Sequence, residues 1–282
     1  MRDAIQETDK PCVIALHCSL GSGRQWSKLA AALGPEVQTI APDLAGYGSD
    51  AVSLDLPTTL AQEVERLRAV LEQARGPLHL VGHSYGGAIA FKIATDPKYS
   101  ARIRSLTMIE PILPTILMES TADQRLHDRF AALRDELCRD LAKGSVLETI
   151  DKFAEFWRGS GPREEVPPAA RIRMIEHAER LAFDFQAALG EENPALAASS
   201  LRVPTLLFSG GQSPFMTQRI VQRLAAIIDG VELRHLRDAG HMLPLTHPAA
   251  VNPEIVRHIA LVDERAGRAL SGGPGPAKAN GF

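Results

Sequence analysis

Cysteine is scarce in this sequence and has no partner pattern. Cys12, Cys18 and Cys138 are odd in number and lack close paired spacing, so neither a disulfide framework nor a zinc site is expected and no metal is assigned. Long runs of Lys and Arg are missing too, and a formal charge of -3 with a pI near 6.3 offers no basic field to nucleic acid. No apolar run approaches membrane-spanning length, and the start, MRDAIQETDKP, is polar and acidic where a signal peptide would be basic and then apolar. These absences predict a cytoplasmic protein with reduced thiols and with neither nucleic acid nor membrane as a partner. No internal repeat appears. What is present is 282 residues, 45% of them hydrophobic, enough for one large core or two unequal lobes.

The stretch HLVGHSYGGA, residues 79–88, organises the rest. Leu78, Leu80 and Val81 form an apolar β run, and Ala88, Ile89, Ala90, Phe91, Ile93 and Ala94 open a buried helix. Between them Gly82-His83-Ser84-Tyr85-Gly86 matches G-x-S-x-G, in which small residues let the chain turn sharply enough to expose a serine hydroxyl above a sheet. Ser84 is therefore the candidate nucleophile. The competing reading is a Gly-rich turn whose serine only caps the helix, and the strand-turn-helix context favours the nucleophile.

With that motif in that setting, the chain resembles the α/β-hydrolase family over residues 11–263, the middle third only in being helical. The resemblance implies an α/β fold: a mostly parallel central sheet flanked by helices, with an inserted helical cap. The core is placed at residues 1–111 and 201–266, the cap at 112–200, and a Gly/Pro-rich disordered tail at 267–282. The apolar run PCVIALH, residues 11–17, stands for the first conserved strand, which in the family ends in His-Gly-x and leads to a Trp, here Trp26. Cys18 replaces the usual glycine. The resemblance makes the backbone N–H of Ser19 one oxyanion donor and that of Tyr85 the other, with His17 structural. Only ten residues precede Pro11, too few for the family's leading hairpin, so residues 37–40 are expected to form an exposed sheet edge. Residues 1–10 or a second subunit would cover it, and a homodimer is expected.

Further along, residues 60–73 carry a helix-period apolar face closed by Gly76-Pro77. Residues 103–110 form a strand whose terminal Glu110 lies on the functional edge of a parallel sheet. Helices are expected over 122–143, 146–158 and 168–189; Phe153, Phe156 and Trp157 are candidates to line a pocket, with ordinary helix core as the competing reading, and Leu20 and Met242 are further substrate-binding candidates. After the strand at 203–210, the family's triad acid sits in a Gly-x-x-Asp pattern, but here that position is Ser213, which carries no charge. A helix over 217–229 and a strand over 231–236 lead to Asp238-Ala239-Gly240-His241, similar to the loop that carries the family's catalytic histidine, and a last helix spans 249–265. His241 is thus the candidate base. Glu110 is the candidate acid, ahead of Asp238, which would have to fold back within one loop to reach the far ring nitrogen.

The function implied is a serine hydrolase acting on a small-molecule carboxylic ester through an acyl-serine intermediate, without cofactor. Cleavage of a C–C bond, thioester or lactone uses the same groups, and a non-catalytic ligand-binding protein on the same fold is the alternative from another class.

Overall fold

The computed structural model describes residues 10–48, 56–161 and 166–271. Short apolar runs alternate with helix-period segments, and this alternation builds one parallel sheet with helices on both faces. Its first half comprises β1 (Cys12–Leu16), α1 (Ser27–Leu33), β2 (Gln38–Ile40), α2 (Leu60–Arg66), α3 (Arg68–Gln73), β3 (Leu78–His83), α4 (Tyr85–Thr95) and β4 (Ile103–Ile109). Helices follow: α5 (Thr121–Ala142), α6 (Val146–Arg158), α7 (Pro168–Glu176), α8 (Arg180–Leu189) and α9 (Pro194–Ser199). The sheet resumes with β5 (Thr205–Gly210), α10 (Phe215–Ile227) and β6 (Glu232–Leu236), before α11 (Leu243–Thr246) and α12 (Pro248–Ser271).

The six strands lie in the order β2-β1-β3-β4-β5-β6, each pair parallel. Alternate residues of one strand feed opposite faces, as the two-residue period of a strand requires. Cys12, Ile14 and Leu16 join Leu78, Leu80, Leu106 and Met108 in the larger core. Val13, Ala15, Val81, Ile109, Leu206 and Phe208 form the smaller core with Trp26 and the apolar side of α12. Strands buried on both faces read as near-continuous apolar runs, which is why β1, CVIAL, stands out in the sequence.

Several expected boundaries shift. The helix expected over 60–73 is divided at Leu67, although hydrogen bonding runs through it, from Leu67 N to Glu63 O and from Leu71 N to Leu67 O. The single helix expected over 168–189 divides into α7 and α8, and α9 was not anticipated. The last helix passes its expected end at Arg265 and continues to Ser271, so residues 267–271, assigned to the tail, are helical. Ala266, Ala269 and Leu270 are good helix formers, and one intervening Gly267 costs only about 1 kcal/mol. The expected disorder of 272–282 and the possible coverage of the sheet edge by residues 1–9 fall outside the described residues. Among the described residues β2 and β6 are the edge strands, and no helix is long and apolar enough to cross a membrane.

Candidate active site

Two of the three side chains singled out in the sequence stand where parallel strands end, and the third stands in the loop beyond β6. Ser84 follows β3 with φ 56° and ψ -119°, a conformation rare for a residue with a side chain. Its amide donates to Ile109 O at 2.9 Å, and its own carbonyl accepts from Ile112 N at 3.2 Å, so both neighbouring segments hold the strained turn. The motif's glycines explain why the turn closes. A Cβ on Gly82 would lie 2.3 Å from Gly86 O, and one on Gly86 would lie 2.4 Å from the carbonyl oxygens of Leu16 and His17. Glu110 follows β4, also at positive φ (44°), with its amide donating to Phe208 O at 3.2 Å.

These positions join in one chain of hydrogen bonds. Ser84 Oγ lies 2.9 Å from His241 Nε2, and His241 Nδ1 lies 2.7 Å from Glu110 Oε2. The other carboxylate oxygen, Glu110 Oε1, accepts from Gly210 N at 2.7 Å, which fixes its rotation. Because an ionised carboxylate only accepts, the imidazole donates from Nδ1 and leaves Nε2 free to accept from the serine hydroxyl. All three groups are almost out of water, at 4%, 3% and 0% exposure for Ser84, His241 and Glu110. Asp238, the competing acid, is exposed. Ser213 is buried with its Oγ unpartnered. Neither is hydrogen-bonded to His241, whose Nδ1 is taken by Glu110.

Two further histidines shape the surroundings. His83 Nε2–H donates to the carbonyl of His241 at 2.8 Å, and its Nδ1 accepts from Gln25 Nε2 at 3.1 Å. Burial, reinforced by the neighbouring His241, holds His83 well below the ordinary histidine range, so it stays neutral and places no second positive charge beside the base. Gln25 Oε1 in turn accepts from Cys18 Sγ at 3.3 Å, which gives the cysteine at the family's glycine position a structural partner. Burial pushes the Cys18 thiol up to about 12, making it inert. His17 donates from Nδ1 to Cys18 O at 2.7 Å and accepts from Leu44 N at 2.9 Å, bonds that hold the turn after β1.

Above Ser84 is a cavity of about 10 Å³, room for about one water. Ser19, Ser84 and Tyr85 form its floor, and the helices between β4 and β5 close it with Phe130, Phe153, Trp157, Asp184 and Phe185. Trp157 stacks on the imidazole of His241, ring centroids 4.3 Å apart and planes 20° from parallel. Of the residues expected to bind substrate, Phe153 and Trp157 reach this cavity. Leu20, at φ 57°, is buried in the larger core instead, Phe156 packs against that core, and Met242 is not among the lining side chains. The sequence reading missed Phe130, Phe185 and above all Asp184, a carboxylate 2% exposed. Among the described residues no group of three or more His, Cys, Asp or Glu side chains is placed to hold a metal ion.

A parallel sheet, a strained serine between β3 and α4 and a histidine beyond the last strand are features of one enzyme class, and the family model of the alpha/beta hydrolase family matches residues 13–254; the chain belongs to that family. Among curated relatives, a haloalkane dehalogenase of Bradyrhizobium diazoefficiens is 27% identical, covering 90% of this chain and 89% of its own. Lipase LipV of Mycobacterium tuberculosis is 32% identical over 58% of this chain and 56% of its own length. Among solved structures, a loop variant of the haloalkane dehalogenase DbeA from Bradyrhizobium elkanii is similar in fold, with a TM-score of 0.72 at 20% identity and coverage of 93% of this chain and 92% of that one.

Proposed function

We propose that the protein is a serine hydrolase of small-molecule carboxylic esters, working through an acyl-serine. The observation that supports this most is the unbroken run Ser84 Oγ, His241 Nε2, His241 Nδ1, Glu110 Oε2, with separations of 2.9 and 2.7 Å. In the proposed cycle Ser84 Oγ attacks the ester carbonyl carbon while its proton passes to His241 Nε2. Glu110 stabilises the resulting imidazolium. The carbonyl oxygen becomes an oxyanion held by the backbone N–H groups of Ser19 and Tyr85. Tyr85 opens α4, and a first-turn N–H has no acceptor within its own helix. Collapse of the adduct breaks the ester C–O bond, and the alcohol leaves with the proton from His241. Water, deprotonated by the same imidazole, then releases the acid and restores Ser84.

The dehalogenase named among the relatives is not a model for the chemistry at position 84. Displacement of a halide by a serine hydroxyl would form an ether, which has no carbonyl for water to attack, whereas acyl transfer to the same hydroxyl forms an ester that turns over. The helices over 121–199 are a cap in this reading. Since the cavity holds about one water, α6 and α8 must part from the strand ends to admit substrate. A series of p-nitrophenyl esters of graded acyl length, with Ser84→Ala as the blank, tests the proposal. Hydrolysis that depends on Ser84 is expected, and a fluorophosphonate should label that residue; equal rates with and without Ser84 would rule the mechanism out.

A further inference from the structure

A buried ion cluster, used by none of the steps above, runs back from the cavity wall at Asp184. Arg180 and Asp184, one turn apart on α8, are each 2% exposed, and Glu63 on α2 is fully buried. Arg180 Nε lies 3.0 Å from Asp184 Oδ1, Arg180 Nη2 donates to Glu63 Oε1, and Arg180 Nη1 donates to Pro57 O at 3.1 Å. Removing a guanidinium and two carboxyl groups from water is costly, and a well-packed apolar set would often serve stability equally well. What the cluster holds suggests why it is there. Ser19 Oγ donates to Asp184 Oδ2 at 2.6 Å, and Tyr85 OH donates to Glu63 Oε1 at 2.9 Å. Tyr47 OH also donates to Asp184 Oδ2, at 2.6 Å. Ser19 and Tyr85 are the two residues whose backbone N–H groups are proposed to bind the oxyanion. Ser19 also precedes Leu20, which is held at φ 57°, so the turn carrying the first donor is strained and needs an external tie.

We infer that Arg180 and Asp184 are positioning residues: from the helical insert they fix, through the side chains of Ser19 and Tyr85, the spacing of the two oxyanion donors. The inference rests on the serine-hydrolase reading and extends it. The oxyanion site is then complete only while α8 is seated on the core, so activation of the carbonyl is tied to closure over the bound substrate. Burial favours a protonated Glu63, raised to about 7 against the pull of Arg180, and a neutral carboxyl still offers Oε1 as acceptor to both Tyr85 and Arg180. Gly46, at φ 78°, makes room for the arginine, since a Cβ there would lie 2.9 Å from Arg180 Cδ.

Ser19→Ala and Tyr85→Phe test this with small changes, because each deletes one hydroxyl and leaves its backbone N–H in place. Each variant should lower kcat on a p-nitrophenyl ester about ten- to hundredfold with KM within about threefold, since a displaced donor acts on the transition state and not on the bound ester. Affinity for a trifluoromethyl ketone, whose adduct carries the oxyanion, should fall by the same factor. Asp184→Ala should cost at least as much as Ser19→Ala, and the Ser19→Ala/Asp184→Ala double variant should be no worse than Asp184→Ala alone. Additive losses in that cycle, or both hydroxyl deletions at wild-type kcat and wild-type ketone affinity in an enzyme that fluorophosphonate labels, would overturn the brace alone. If Asp184→Ala does not fold, the two hydroxyl deletions decide. Wild-type protein that is neither labelled nor active on any ester would overturn the serine-hydrolase reading and the brace with it.

Discussion

The floor of the site and its roof are built on different rules. On the floor, Ser84 and Glu110 are the first residues past β3 and β4, so the parallel sheet brings them together by its register alone, Gly82 beside Met108 and His83 beside Ile109. On the roof, Trp157 and Asp184 come from two helices whose places depend on packing and on one buried ion cluster. Strand ends convert sequence order into spatial order; an inserted helical layer does not. Ser213 lies beside the place a Cβ on Gly210 would take, Oγ 2.7 Å away, while Gly210 gives its amide to Glu110. The strand that leads to the family's usual acid loop therefore holds Glu110, the acid proposed here, in place.

The largest effect is expected on the floor. Ser84→Ala should lower kcat by about four to six orders of magnitude, as removal of a nucleophile that works together with its base does, with the thermal midpoint unchanged within a few degrees. Esterase assays and a melting curve on the same preparation check this, and retained turnover would move the nucleophile elsewhere. Glu110→Gln comes next, at about two to four orders. The amide can still accept from Gly210 N, but its NH2 faces the Nδ1–H of His241, so the ring is driven to the tautomer that cannot take the serine proton, and no charge compensates an imidazolium. Asp238→Asn, on an exposed side chain, should leave kcat within twofold. A reversal of those two results would return the acid to the histidine's own loop.

The roof should respond less. Trp157 covers one face of His241, and when the ring takes the serine proton that face stabilises a cation in a site closed to water. Trp157→Ala should lower kcat about tenfold, while Trp157→Phe, which keeps an aromatic face, should lose only about threefold. Equal losses in the two variants would point to packing in place of ring electrostatics.

Legibility followed the same division. Ser84 could be read because an apolar β run, a Gly-rich turn and a buried helix are all local signals, and His241 because the last strand points to it. Glu110 could be read from a strand end together with a vacant Ser213. Asp184 could not. In RLAFDFQAAL the pair Arg180 and Asp184 has the i,i+4 spacing of an ordinary solvated ion pair, one position ahead of the apolar stripe Leu181, Phe185 and Ala188, and only the packing of α8 on the core turns that edge inward. The break between α7 and α8 at His177, Ala178 and Glu179 contains neither Gly nor Pro, so nothing in the sequence marks it. His83 lies inside the motif, yet its bond to the His241 carbonyl joins residues 158 positions apart and has no local trace.

The smallest effect separates the buried histidines of the floor from the buried ion cluster by pH. Burial lowers His17 from 6.5 to about 4, with the Cys18 carbonyl and Asp43 opposing it and His177 adding to it, and burial with the neighbouring His241 holds His83 well below the ordinary histidine range. Between pH 6.5 and about 4 the folded protein binds fewer protons at His17 than the unfolded chain does, so its contribution is fully present above 6.5 and is lost as pH falls, and His83 acts in the same direction. Glu63 has the opposite sign. Its carboxyl is raised from 4.5 to about 7 by burial, so the folded state binds more protons across that window and its contribution is lost as pH rises. Asp184, also raised by burial, acts in the same direction as Glu63, and His258, also lowered by burial, in the same direction as His17 and His83. Urea unfolding at pH 7.5, 6.5, 5.5 and 4.5 should therefore show stability falling toward acid. His17→Gln, which can still accept from Leu44 N, should reduce that slope by about 1 kcal/mol per pH unit, and Glu63→Gln should steepen it by a similar amount between pH 4.5 and 6.5. An unchanged acid slope in His17→Gln would mean that the ring is already charged in the folded protein and would remove it from the neutral scaffold behind the oxyanion turn.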